Sequence, residues 1–167
     1  EVAVKVYKSG ITSDGFPECE MNASLLGGSH PNIPEVLGAV EGHPEGARAL
    51  VMGVVGSEFT PLAGPPSMHT CSRDVYPEGK DFQMGGVVRL AGAIASAMSH
   101  LHSKGVMHGD VYGHNILYRP SDGEALLGDF GAASPTLALD ADLKASLERI
   151  DARAFGVLLS ELLSHRK

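Results

Sequence analysis

Two short polar segments constrain most strongly how this chain can fold. They are HGDVYGHN at residues 108–115 and GDFG at residues 128–131, and each follows an apolar run. Between them, the apolar stretches 116–118 and 125–127 flank a turn that contains proline and glycine. This pattern predicts a hairpin between two polar loops. An Asx-rich turn and a plain strand-end turn are the simplest alternative interpretations of the two segments.

The remaining sequence predicts a few strands with one helix, followed by a mainly helical half. Alternating or β-branched apolar residues predict strands at 1–7, 35–40 and 47–55, with a hairpin joining the last two. Residues 18–26 form a short, moderately helical stretch, and 135–149 is weakly helical. A helix is predicted over 87–103 by one apolar face at helical spacing: Val87, Leu90, Ile94, Ala97, Met98 and Leu101. A further helix is predicted over 151–163, where apolar residues lie almost all round. We expect Gly105 to stop the second helix and the almost wholly apolar last helix to be buried. The order predicts an α+β fold with two lobes.

The composition excludes several classes of protein. An apolar fraction of 43% argues against a disordered chain, and a net charge of −7 argues against a general nucleic-acid binder. No apolar run approaches the roughly 20 residues that a membrane span needs. The two cysteines form no CxxC pair, suggest no zinc site and favour a reducing compartment. We therefore expect a cytoplasmic protein that binds no nucleic acid and has no membrane span in this chain.

The charged residues of these segments suit phosphoryl transfer. That reaction needs oxygen ligands for metal ions, a cation on the phosphates and a group that orients the attacking hydroxyl. Lys5 in VAVK offers the cation, although a solvated lysine at a sheet edge is by far the commoner explanation of this motif when it is taken alone. Asp110 and Asn115 lie five positions apart on one loop, and Asp129 follows an apolar strand.

The chain resembles the catalytic domain of protein kinases. VAVK, HPNI, HGDVYGHN, DFG and a late DARAFG occur in the order that this family shows, and the resemblance covers nearly the whole chain. It implies a two-lobed protein-kinase-like fold, with residues 1–55 as the N-lobe up to the hinge and 56–167 as the C-lobe. It also implies ATP and Mg²⁺ as cofactors and a protein substrate.

The same resemblance implies a role for four charged or amide residues. Lys5 would bind the α- and β-phosphates of ATP, and Asp110 would be the catalytic base. Asn115 and Asp129 would hold magnesium.

The resemblance also implies roles for four positions in the N-lobe and hinge. Glu20 would pair with Lys5, and Glu18 is the alternative. Met52 would be the gatekeeper, and the backbones of Gly53 and Val55 would bind adenine.

Asp151 resembles the buried aspartate that braces the catalytic loop in kinases. A helix N-cap is an equally good interpretation of Asp151 from its local sequence.

Several positions depart from the kinase pattern. Gly109 stands where arginine is common, which predicts no activation by phosphorylation of the following loop. Tyr112 replaces the lysine of serine/threonine kinases, and His114 replaces the arginine of tyrosine kinases. Asp129 and Asp151 are only 22 positions apart, so the segment that docks a peptide is short.

A narrower resemblance concerns GPPS, CSRDVY, HGDVYGHNIL and LLGDFGAAS, which together are similar to kinase domains attached to leucine-rich repeats. It implies serine/threonine specificity and adjoining leucine-rich-repeat or other domains. The chain begins within the VAVK strand, without the glycine-rich loop, and ends soon after an apolar helix. We therefore expect a fragment of a longer protein, truncated at both ends, that binds ATP poorly by itself.

Two other functions compete with a protein kinase. A small-molecule phosphotransferase of the same broad fold suits Gly109 and the short segment after DFG. A pseudokinase, acting only as an interaction module, is the non-enzymatic alternative.

Overall fold

The computed structural model describes residues 1–7, 15–71 and 74–167. The sequence also predicts a polar, turn-rich link at residues 8–15, and this link lies almost wholly outside the described residues. The described strands and helices are, in chain order, β1 (Val2–Val6), α1 (Pro17–Gly27), β2 (Val36–Ala39), β3 (Ala49–Gly53), β4 (Thr60–Pro61), α2 (Met84–Ser103), β5 (Val106–Met107), β6 (Ile116–Tyr118), β7 (Ala125–Leu127), β8 (Ser134–Pro135) and α3 (Ala141–Ser164). The predicted α+β class is confirmed.

The first sheet has the strand order β1-β3-β2 with antiparallel pairs throughout. The predicted hairpin of β2 and β3 is therefore confirmed. Lys5 on β1 pairs in register with Leu50, which is buried on β3. The valines of β1 are about half exposed. The alternation of apolar and polar residues therefore predicts this strand correctly, but its apolar residues do not form a buried face.

The HPNI segment connects this sheet and α1 to the second half of the chain. The backbone N–H of Leu127 donates to the Asn32 carbonyl (2.8 Å), and the Asn32 side-chain amide donates to the Ala125 carbonyl (3.1 Å). Ile33 is buried beside them. The HPNI segment, which follows α1, thus binds the edge of β7, the strand that leads to Asp129.

Helix α2 forms the centre of the core. The six residues predicted on its apolar face are all buried: Val87, Leu90, Ile94, Ala97, Met98 and Leu101. Gly105 follows its C-cap with φ +69°, a conformation that favours glycine, so the predicted stop is confirmed. No helix in the described part of the chain is both long and apolar enough to span a membrane.

Strands β6 and β7 form the predicted hairpin at the predicted positions, and β4 extends it to three strands. A separate pair, β5 with β8, joins the segment before HGDVYGHN to the segment after GDFG. The two polar loops therefore lie next to each other, because the strands on both sides of each loop are paired.

The last third of the chain corrects two predictions. Instead of two helices there is one, α3, and Asp140 caps it by accepting the Leu143 N–H (2.9 Å). The N-cap interpretation of Asp151 is therefore wrong, since Asp151 lies in the middle of α3. Complete burial is also wrong: Leu158 and Leu162 are buried, but the apolar residues on the other side of the helix are exposed.

Candidate active site

Lys5 reaches from β1 to α1. Its ammonium group forms an ion pair with Glu20, whose side chain is mostly buried. Glu18, on the exposed side of α1, instead pairs with Arg48 (2.8 Å). Of the two glutamates that the sequence offered, the structure brings Glu20 to Lys5, because Glu20 is the one on the helix face toward the sheet.

One pocket gathers several of the predicted residues. Lys5, Glu20, Met52 and Asp129 line it, together with Tyr7 and with Ser24, Pro34, Val36, Gly128 and Phe130. Lys5 comes from the first sheet and Asp129 from the loop after β7. The pocket therefore combines a cation and two carboxylates from three separate elements.

Tyr7 is a pocket residue that sequence reasoning missed. Its ring is buried, and its hydroxyl has no hydrogen-bond partner among the residues that the structure describes. Burial, followed by the nearby Glu20 carboxylate, raises the pKa of Tyr7, so the hydroxyl stays neutral and can donate. A tyrosine that ends a strand carries no signal in a single sequence that separates a site residue from a core residue.

Met52 and Gly53 end strand β3, and Val55 follows it. The N–H of Gly53 donates to the Glu35 carbonyl (3.0 Å) and is therefore committed to the sheet. Any contact of Gly53 with an adenine base would have to use its carbonyl oxygen. Of these three residues, Met52 is the one that lines the pocket with Lys5.

His108 connects the two polar loops. Its Nδ1 accepts the Asp110 N–H (3.3 Å), and its Nε2 donates to the Gly128 carbonyl (2.9 Å). The ring is fully buried and packs edge-on against Phe130. Burial lowers the pKa of His108, so the imidazole is neutral with its proton on Nε2. The HGDVYGHN motif begins with this histidine, but its bonds were not predictable from spacing.

Asp110 and Asn115 meet across the loop. The Asn115 amide nitrogen donates to the Asp110 carbonyl (3.0 Å) and to its Oδ2 (2.7 Å). The Asn115 side chain is buried, whereas that of Asp110 is 37% exposed and can reach a bound molecule. The amide oxygen of Asn115 is left as a potential ligand, because the amide nitrogen is occupied by Asp110.

Asp129 follows β7 with φ +50°, a left-handed conformation that is rare for a residue with a side chain. Its Oδ1 accepts the Gly131 N–H (3.1 Å), and the carboxylate is exposed. Phe130 turns the other way into the core. The N–H of Gly128 donates to the Asn115 carbonyl (2.9 Å), which brings the two predicted metal ligands to adjoining loops.

The donor set of these loops fits Mg²⁺. Asp129 offers carboxylate oxygen and Asn115 offers amide oxygen, the ligands that this hard cation prefers. Within the described residues no group of three or more histidine, cysteine or acidic side chains forms a metal cage. Mg²⁺ commonly uses one or two protein ligands and completes its shell with water and substrate phosphates.

Asp151 reaches the HGDVYGHN loop from the middle of α3. Its carboxylate accepts the N–H of His108 and the N–H of Gly109 (both 2.9 Å), and it bonds Nε2 of His102 (2.9 Å). Burial alone would raise the pKa of Asp151, but these hydrogen bonds outweigh it and the pKa lies below its ordinary value. The carboxylate is thus ionised and holds the backbone just before Asp110.

The protein kinase domain family matches residues 1–142 of this sequence, which include the pocket and both loops. The chain belongs to the protein kinase domain family. Its fold is correspondingly kinase-like: the Cydia pomonella granulovirus kinase PK-1 superposes with a TM-score of 0.66 at 19% identity, covering 98% of this chain and 59% of that one.

Curated kinases also align with the chain. Fibroblast growth factor receptor 1 of Pleurodeles waltl is 27% identical over 98% of this chain. The serine/threonine-protein kinase PkaA of Streptomyces coelicolor is 29% identical over 99% of it. The chain spans only 23% and 32% of the lengths of these two relatives.

Proposed function

We propose that this kinase domain transfers the γ-phosphate of ATP to a serine or threonine hydroxyl of a protein. The observation that carries the proposal is the pocket in which the Lys5–Glu20 pair faces Asp129, next to the loop of Asp110 and Asn115. The likeness to PkaA and the narrower sequence resemblance favour serine or threonine over tyrosine.

In the proposed mechanism each residue has one task. Lys5, oriented by Glu20, binds the α- and β-phosphates, and Asn115 and Asp129 would hold Mg²⁺, which neutralises phosphate charge when bound. The oxygen of the acceptor hydroxyl bonds to the γ-phosphorus while Asp110 accepts the hydroxyl proton. The bond from the γ-phosphorus to the bridging oxygen breaks, and ADP leaves with that oxygen.

The adenine base would bind at the end of strand β3. Met52 would contact the base, with the Gly53 carbonyl and the Val55 backbone as its hydrogen-bonding groups.

The test is phosphorylation of protein and peptide substrates by the full-length protein with Mg²⁺ and ATP, read by mass spectrometry at each hydroxyl. Lys5→Ala and Asp129→Ala should each lower the rate by on the order of 100-fold or more, the scale of one lost transition-state contact. Arg48→Ala removes a similar but exposed ion pair with Glu18, so it is the matched control and should leave the rate unchanged. Equal rates in all four proteins would contradict the proposal.

A small-molecule phosphotransferase is the second candidate, and one observation favours it. Gly109 packs so closely on the segment after GDFG that a Cβ at this position would lie 2.7 Å from the Ala132 carbonyl oxygen. The segment is therefore tightly held against the HGDVYGHN loop, which limits the surface available to a peptide. Transfer to small alcohols, with no label on peptides, would favour this function. A pseudokinase would show no ATP turnover at all.

Serine/threonine specificity, a cytoplasmic location and adjoining leucine-rich-repeat domains stay predictions from the sequence. Mapping the phosphorylated hydroxyls tests the first of them. Imaging the tagged full-length protein in cells tests the second, and sequencing the flanking coding regions tests the third.

A further inference from the structure

A buried aspartate outside the kinase motifs contacts the loop of Asp110. Asp74 lies in the segment between β4 and α2, and its side chain is completely buried. One carboxylate oxygen accepts the Gly113 N–H (2.6 Å), and the other accepts Nδ1–H of His114 (2.6 Å). A buried carboxylate needs such partners to offset its lost hydration. Asp74 therefore fixes both the backbone and a side chain of the catalytic loop.

The close approach of Asp74 depends on a glycine. A Cβ at Gly113 would lie 2.9 Å from the Tyr76 hydroxyl and 3.1 Å from Asp74 Oδ2. A larger residue would require these side chains to shift, so the glycine lets the carboxylate sit directly against the loop backbone. The CSRDVY segment, which the kinase motifs left unexplained, thus supplies two of the residues that pack on the loop.

The His114 ring extends this contact to Asp110. With Nδ1 bound to Asp74, Nε2 faces the other way and lies 3.9 Å from Asp110 Oδ2. At this distance the ring edge lies beside the carboxylate without a hydrogen bond to it. Tyr112 lies beside the ring, 5.8 Å between ring centres. The same Asp110 oxygen accepts the Asn115 amide N–H (2.7 Å).

We propose that Asp74 and His114 are positioning residues for Asp110 in phosphoryl transfer. Asp74 fixes the orientation of the ring, the ring edge limits the space beside Oδ2, and the Asn115 amide holds Oδ2, so that Oδ1 is directed toward the acceptor hydroxyl. This inference rests on the proposed function, since it assigns Asp110 the role of base. It gives position 114 a task that differs from that of the arginine in tyrosine kinases.

The test measures kcat and KM of the full-length protein with Mg²⁺, ATP and an unphosphorylated acceptor peptide. The peptide is one that mass spectrometry has first shown the protein to phosphorylate. His114→Gln and Asp74→Asn should each lower kcat by roughly 10- to 100-fold, as loss of an outer-sphere partner typically does. KM for ATP and the Kd of ATP should not change, because neither residue lines the pocket of Lys5. The double variant should lose no more than one single variant, because the two residues act as one unit.

His165→Gln is the matched control. His165 lies in the same region, with its ring 4.6 Å from that of Tyr76, but has no contact with Asp110 among the described residues. It should retain wild-type kcat. If Asp74→Asn fails to fold in a thermal unfolding assay, His114→Gln decides alone, since that ring is 20% exposed and lies outside the apolar core.

Two results would overturn the inference separately from the proposed function. A wild-type kcat in His114→Gln would do so, and so would losses that multiply in the double variant. A wild-type protein that transfers no phosphate would instead overturn the proposed function, and this inference with it.

Discussion

At the scale of single residues, backbone conformation decides what position 109 can hold. Gly109 has φ +80°, in the left-handed region that strains any other residue, and its Cα faces the Ala132 carbonyl. The arginine that is common in kinases would therefore need the segment after GDFG to move away. The glycine is the structural reason that this segment packs directly on the HGDVYGHN loop.

We expect Gly109→Ala to lower the free energy of unfolding by about 1–3 kcal/mol, the usual cost of a strained backbone conformation. Gly92→Ala is the control, since Gly92 lies in α2 and a Cβ added there would meet nothing within 4 Å. It should raise the free energy of unfolding by about 0.5–1 kcal/mol through helix propensity. Urea denaturation of both variants measures the difference, and equal effects would contradict this explanation of Gly109.

At the scale of elements, helix α3 shows how one cap sets the length of a helix. Asp140 accepts the Leu143 N–H, and the helix then continues without a break past Asp151 to Ser164. Because the helix starts well before Asp151, that carboxylate projects from a rigid interior turn toward His108 and Gly109. The cap thus contributes indirectly to the loop that carries Asp110.

Asp140→Ala should therefore lower the free energy of unfolding by about 1 kcal/mol, because it removes the side-chain acceptor at the N-cap. Asp140→Asn keeps an acceptor of the same size and should cost almost nothing. Chemical denaturation followed by the helical circular dichroism signal compares the two. An equal loss in both variants would show that the charge, and not the cap, is what matters.

At the scale of the whole molecule, the protonation state of His108 affects how the HGDVYGHN loop and the GDFG loop are joined. Its neutral ring accepts from Asp110 and donates to Gly128, so a second proton would break the first of these bonds. The pKa of His108 is lowered by burial. The pKa of His30, on the HPNI segment, is lowered in the same direction, again first by burial and then by the neighbouring His100.

This lowering makes stability depend on pH in one direction. Below about pH 6.5, the ordinary pKa of histidine, the unfolded chain takes up protons that the folded chain does not. The free energy of unfolding should therefore fall as the pH drops from about 6.5 toward the lower pKa of folded His108. His108→Gln should reduce this slope, while His69→Gln, on an exposed loop, serves as the control. A slope that His108→Gln leaves unchanged would contradict the assignment.

Much of the fold could be predicted because it is encoded locally. The hairpin of β6 and β7 and the buried face of α2 follow from apolar periods of two and about 3.6 residues, and Gly105 marks a helix end by its conformation. The candidate site residues of the two polar loops could also be identified from the sequence, because they lie within the short motifs HGDVYGHN and GDFG. The single helix α3 was missed because residues 135–149 have only a weak apolar period.

The α+β order and the residue types available for phosphoryl transfer can be inferred from the sequence alone. The folded chain adds the choice of Glu20 over Glu18 as the partner of Lys5, and the hold of Asp151 on the loop backbone from inside a helix. It also brings Asp74 to His114 across 40 positions of sequence. These contacts join distant segments. Which residues meet in such contacts depends on which helix face packs on which sheet. The local period of apolar residues in the sequence does not determine this packing.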